Sequence, residues 1–159
     1  MNKGLDTFIS FALVILIGLT GVMLALTLIK PTIDKATDNM VINEGFANLE
    51  KINKIINDVA SETEGTRRTI NVRVTDGEYQ IDSTNSKIIF LYKMKSDLSF
   101  SGSKGNVNIT TDKSMATLSL AYDKILLQGS RFSKGDNQIV ITNEGIDEDS
   151  NKVTISIMT

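Results

Sequence analysis

The 159-residue sequence predicts an α+β protein. Its expected parts are a long N-terminal helix, half transmembrane and half amphipathic, and a C-terminal antiparallel β-rich sandwich or sheet. Three features of the chain predict this. Residues 8–29 form an apolar run without a charge. Apolar residues then recur at helical spacing from Ile42 to Val59. After Thr63-Glu64-Gly65 the apolar period changes from 3.6 to 2, the signature of half-buried strands.

The apolar run is 22 residues long. As a helix it rises about 33 Å, which matches a hydrocarbon core about 30 Å thick with a little tilt. Fourteen of its residues are Phe, Ile, Leu or Val. Together they favour insertion by about 4–8 kcal/mol. A cleaved secretion signal has a shorter apolar region of about 7–15 residues followed by a small-x-small cut site. The run here is longer, and Leu28-Ile29-Lys30-Pro31 offers no such site. Gly18, Gly21 and Ala25 lie near one side of this helix, where small side chains let a neighbouring helix approach closely. Ser10, Thr20 and Thr27 are expected to return their hydroxyls to the helix's own carbonyls.

Pro31 is expected to end or kink the first half, because it lacks an N–H and its ring meets the preceding turn. Beyond it Ile42, Phe46, Leu49, Ile52, Ile56 and Val59 share one face of an amphipathic helix over 31–64. Gly45 weakens the early part of that helix by up to about 1 kcal/mol. The apolar face needs a partner, and a sheet in the same chain would supply it.

Residues 65–159 read as that sheet. Ile70, Val72 and Val74 alternate with polar residues, Asp76-Gly77 is a tight-turn signal, and Tyr79 and Ile81 alternate afterwards. Residues 69–82 are therefore expected to form a hairpin. Further strands are expected at 87–94, 98–101, 106–110, 115–122, 124–127, 138–143 and 153–158. Turns at 101–105 and 134–137 would separate them.

Composition closes several chemistries. The chain has no Cys, so it has neither disulfides nor thiolate sites. It has no His, which removes the commonest proton-transfer side chain and the Ser-His-Asp arrangement. A net charge of −2 gives no basic surface for nucleic acid. Ser101-Gly-Ser-Lys104 has the bare Ser-x-x-Lys spacing without its usual companions, and no helix follows Gly102–Gly105 to hold a phosphate. Asp136, Asn137 and Asp147-Glu148-Asp149 do not follow calcium-loop spacing and read as solvated turns. Arg67-Arg68 reads as a surface pair. Neither a cofactor nor a metal is expected, nor an enzyme. Asn108-Ile109-Thr110 is an N-glycosylation sequon.

Lys3-Gly4 followed by Leu5-Asp6-Thr7 and a long apolar helix resembles the class III signal of archaeal type IV pilins and archaellins. The resemblance covers about the first thirty residues. It implies that a prepilin peptidase cuts between Gly4 and Leu5. Residues 1–4 would then be the leader, 5–30 the transmembrane and filament-core helix, and 65–159 an extracellular head. Bacterial pilins usually carry a glutamate at the fifth position after the cut, where this chain has Ile9. The archaeal pattern is looser there. The partners implied are the lipid bilayer, the peptidase, and copies of the chain or other pilin subunits, with the N-terminus cytoplasmic. The alternative is an anchored extracellular β-sandwich that never polymerises, similar to archaellum stator components.

Overall fold

The computed structural model describes residues 3–97, 99–112 and 114–159, with side chains from Phe8 onward. Among these, one helix precedes eight strands. They are α1 (Lys3–Ala60), β1 (Arg67–Asp82), β2 (Lys87–Lys93), β3 (Ser101–Lys104), β4 (Val107–Asp112), β5 (Met115–Ala121), β6 (Ile125–Gly129), β7 (Phe132–Asp147) and β8 (Lys152–Met158). The chain divides into two units, Met1–Thr37 and Asp38–Thr159. Pro31 lies inside α1 and does not end it. A proline removes one hydrogen bond of the ladder, here to the Thr27 carbonyl, and the bonds on either side persist. The helix closes at Ala60, and residues 61–64 form a turn rather than a last helical stretch.

In the second unit the strands form a single sheet in the order β3-β4-β5-β2-β1-β7-β8-β6. All neighbours are antiparallel except β6 and β8, which run parallel. The final strand thus lies between β6 and β7, two strands joined by the short link Ser130-Arg131. At that edge Gly129 is required by close approach. A Cβ there would lie 2.5 Å from the Ile157 carbonyl oxygen and 2.7 Å from Ile81 Cδ1.

Residues 69–82 are not a hairpin. They belong to one continuous strand whose register shifts between Val74 and Glu78. Up to Val74 the strand pairs with β7 alone; from Glu78 it pairs with β2, and Glu78 and Tyr79 also pair with Ser133 and Phe132 of β7. Gly77 takes φ +91°, the left-handed conformation that an Asp-Gly turn would also need. Here it makes a bulge instead of a reversal. The bulge shifts the inward phase from Ile70, Val72 and Val74 to Tyr79. The same apolar residues reach the core by either route. A second bulge lies between Asn143 and Ile146, with Gly145 at φ +94°. Residues 134–137 are likewise strand, and the turn expected at 101–105 is β3 followed by a turn at Gly105-Asn106. Of the strand expected at 98–101, Leu98 lies outside the described residues.

From Asp38 onward α1 packs on this sheet. Val41, Ile42, Phe46, Leu49, Ile52, Ile56 and Val59 are buried against Val72, Phe90, Leu118, Ile139, Ile141 and the rest of one core. Gly45 sits directly against the Phe90 ring of β2. A Cβ there would lie 2.6 Å from Phe90 Cε1, so the residue serves packing rather than a bend. Tyr79 donates its hydroxyl to the Gly45 carbonyl at 3.2 Å, and its ring stacks on Phe132 with centroids 4.7 Å apart.

Candidate functional site

Each unit offers a surface. In the first, every large apolar side chain described between Phe8 and Ile29 is exposed, from Ile15 at 46% to Leu28 at 75%. The apolar window of this helix has a mean hydropathy of 2.7 with no part buried, so length and composition suffice to cross a membrane. A signal sequence near an N-terminus passes the same test. Thr20 donates to the Leu16 carbonyl at 2.7 Å and Thr27 to the Met23 carbonyl at 2.8 Å. These hydroxyls are satisfied within the helix, as an apolar surrounding requires.

Gly18, Gly21 and Ala25 are all exposed, and a Cβ built on either glycine would meet nothing within 4 Å. Close approach by another helix is sterically open there. Lys3, Gly4 and Leu5 fall in the first turn of α1, and their side chains lie outside the described ones.

The second unit holds its segment of α1 by polar contacts as well as by the apolar stripe. Asp38 is wholly buried. Its Oδ1 accepts from the Tyr92 hydroxyl at 2.7 Å and from Lys95 N–H at 3.0 Å. Its Oδ2 accepts from Ser96 N–H at 2.8 Å and from the Ser96 hydroxyl at 2.6 Å. Burial pushes this carboxyl up, but the donors at Lys95, Ser96 and Tyr92 outweigh it and hold Asp38 below the usual carboxylate range.

Three further helix side chains line up along β1. Before the bulge β1 has no strand partner on its β2 side, which leaves the odd-numbered backbone groups open. Glu44 accepts from Thr75 N–H at 2.7 Å, Asn48 donates to the Arg73 carbonyl at 2.9 Å, and Lys51 donates to the Asn71 carbonyl at 2.8 Å. A helix edge thus replaces the missing strand. At the far end of α1 the buried Asn143 donates to the Val59 and Glu62 carbonyls at 3.1 and 3.0 Å, while its own oxygen accepts from Gly145 N–H. The Val59 carbonyl also accepts from Glu62 N–H at 3.2 Å, and Glu62 lies past the helix, so the Asn143 amide ties the turn after α1 to β7.

The remaining sequence candidates are dispersed. Lys104 Nζ lies 4.2 Å from the centre of the Phe46 ring, a cation–π contact. Arg68 pairs with Glu62. Asp147 accepts from Ser150 in the β7–β8 turn, and Asp136 stands opposite Arg73 in the sheet. Among the described residues no three acidic side chains gather. Asn108 is exposed on β4.

Asp38, Glu44, Asn48, Lys51 and Asn143 escaped the sequence reading. The spacing of Glu44, Asn48 and Lys51 at i, i+4 and i+7 was the one available signal, because it marks a second helix face beside the apolar one. Comparison with protein-family models, curated proteins and solved structures yields no match to this chain, so the arrangement of helix and sheet stands on its own geometry.

Proposed function

We propose that this protein is a type IV pilin-like subunit that assembles into a surface filament or pseudopilus through residues 8–29. One observation carries the reading. The first part of α1 exposes an unbroken apolar surface, whereas the part from Asp38 onward is seated on a β-sheet. An apolar helix in lipid loses little by exchanging acyl chains for equally apolar helices, provided that they pack closely. Gly18, Gly21 and Ala25 would be the points of closest approach. The subunit works by assembly, not catalysis. In this reading the precursor spans the bilayer once with its N-terminus cytoplasmic. A prepilin peptidase cuts between Gly4 and Leu5, and the sheet is displayed outside the cell for adhesion or contact between subunits. Asn108, exposed on β4, would be open to a glycan there.

Mass spectrometry of the native protein should find Leu5 as its first residue. Electron microscopy of expressing cells should find filaments that vanish when residues 8–29 are deleted. A soluble monomer beginning beyond Pro31 would overturn the proposal. An intact N-terminus without filaments would favour the permanent anchor instead.

A further inference from the structure

The chain enters the second unit at Asp38. Residues 30–37 separate Asp38 from the apolar run, and even fully extended they reach no more than about 28 Å. If the run spans a bilayer, the surface around Asp38 is tethered within that distance of the hydrocarbon. The headgroup layer alone takes up about 5–8 Å of it.

The ends of β2, β4 and β5 build this surface. Asp38 accepts from Lys95 N–H and Ser96 N–H just past β2. Met94 N–H donates to the Ser114 carbonyl at 2.6 Å, and Lys93 stands opposite Met115 in the β2–β5 ladder. Phe100 N–H donates to Thr111 Oγ1 at 2.7 Å, near the end of β4.

Among the described residues of the second unit, the exposed large apolar side chains are Met40, Phe100, Met115, Ile146 and Met158. The first three lie at the Asp38 end. Apolar side chains exposed singly need no explanation, but a group of them at one end does. The exposed charges beside them balance, Lys93 and Lys95 against Asp97 and Asp112. A partner of strong net charge is therefore not favoured. Three side chains also fall short of the about 800 Å² that each partner buries in a standard protein interface. A tethered surface needs no such area, because the tether makes docking intramolecular.

From this we infer that the Asp38 end of the sheet unit docks on the headgroup layer of the bilayer. Met40, Phe100 and Met115 enter the layer, and Lys93 and Lys95 lay their stems along it with the ammonium groups at lipid phosphates. The inference rests on the reading of residues 8–29 as a membrane span.

The chain has no Trp, so one introduced indole is a unique fluorescent reporter. Phe100→Trp and Met115→Trp place it on the docking face, at exposed positions. Ile146→Trp is the control. Gly145 beside it lies against Glu64, past the far end of the helix, and residues 38–60 rise about 33 Å. Each full-length variant is reconstituted in phosphatidylcholine vesicles with and without a nitroxide on the headgroup. Both face reporters should emit blue-shifted light and lose most of it to the nitroxide, while the control emits as in water and is unquenched. Met40→Ser with Met115→Ser, added to Phe100→Trp, should restore the emission to the control's level. Failure of the chains to float with the vesicles would overturn the spanning reading and this inference together. Flotation with face reporters no more quenched than the control would overturn this inference alone. So would quenching that survives the two serines, or shielding that disappears on dilution with unlabelled lipid, the mark of a second copy on this face.

Discussion

The two parts of α1 are both helical, yet they carry opposite instructions. Residues 8–29 are apolar all round and expose every large side chain described there. Residues 38–60 are striped, with Leu49, Ile52, Ile56 and Val59 each at 1% exposure or less. A striped helix names its partner, because only one face must leave water, and the opposite face keeps the segment soluble. A uniformly apolar helix names only a solvent, and anything apolar on all sides will serve. Substitutions in the two parts should therefore fail in different assays.

The largest effect is expected from Leu49→Ala, which removes a fully buried side chain from the centre of the helix–sheet contact. Chemical denaturation of the full chain should show a loss of about 2–5 kcal/mol. Leu16→Ala, in the exposed run, should leave that transition unchanged. Equal losses at both positions would erase the contrast between the two parts.

Leu16→Arg tests the other side. A charge near the middle of a spanning helix opposes insertion by about 2.5–3.5 kcal/mol. Membrane fractionation should show the variant depleted from the bilayer and electron microscopy should show no filaments. The unfolding midpoint of the sheet unit should stay at the wild-type value. A shifted midpoint would mean that the apolar segment contributes to folding of the second unit.

Asp38→Asn reaches the polar side of the contact. The variant keeps the shape but places an amide where Oδ1 or Oδ2 received N–H and O–H donors, which should lower stability by about 1.5–3 kcal/mol at neutral pH. Because the folded carboxyl sits below its ordinary range, its contribution is complete above the unfolded pKa of about 3.9. It fades as pH falls through the lower folded value, when the buried carboxylate is protonated. Thermal melts from pH 7 to pH 2 should thus converge for wild type and variant at the acid end. Asp82 and Asp147 are lowered too, by side-chain hydrogen bonds from Asn85 and Ser150. Asp82 ends β1 and Asp147 ends β7; both remain in the variant and cancel in the difference. Parallel curves at all pH values would show that Asp38 is not the group responsible.

What the sequence made legible follows from how local each signal is. The apolar run, the stripe and the inward residues of β1 are periodic and were readable, since burial imposes its period on neighbouring positions. The course of β1 was not. Asp76-Gly77 supplies the left-handed glycine that a hairpin and a bulge both need. The choice between them rests on β7, which is more than fifty residues away. The parallel pairing of β6 with β8 was hidden for the same reason. Asp38 reads as a solvent-facing helix residue, because carboxylates are rarely wholly buried. Only the distant Tyr92, Lys95 and Ser96 make its burial tolerable.

Asn143→Ala extends the comparison to the end of the helix. Without the amide, the Glu62 carbonyl loses its side-chain donor, the Val59 carbonyl keeps only Glu62 N–H, and Gly145 N–H loses its acceptor at the β7 bulge. A loss of about 1–3 kcal/mol is expected. Hydrogen exchange should rise first in the last turns of α1 and around 143–146. An effect confined to the β7–β8 turn would mean that the bonds to the Val59 and Glu62 carbonyls contribute nothing.

The smallest effect is the most diagnostic of how a helix can stand in for a strand. Asn48 and Glu50 are two residues apart on the same helix. Asn48 reaches the open Arg73 carbonyl on β1, whereas Glu50 is exposed on the outer side. Asn48→Ala should therefore lower stability by about 0.5–1.5 kcal/mol, one hydrogen bond's worth. Glu50→Ala should fall within about 0.5 kcal/mol of wild type, as surface substitutions do. The local readout is sharper than the global one. In Asn48→Ala the amides of 71–75 should exchange faster, because water enters where the side chain closed the strand edge, while the β7 side of the same strand stays protected. If those amides are unmoved, the contact between α1 and β1 is held by the apolar stripe alone, and the row of Glu44, Asn48 and Lys51 merely accompanies it.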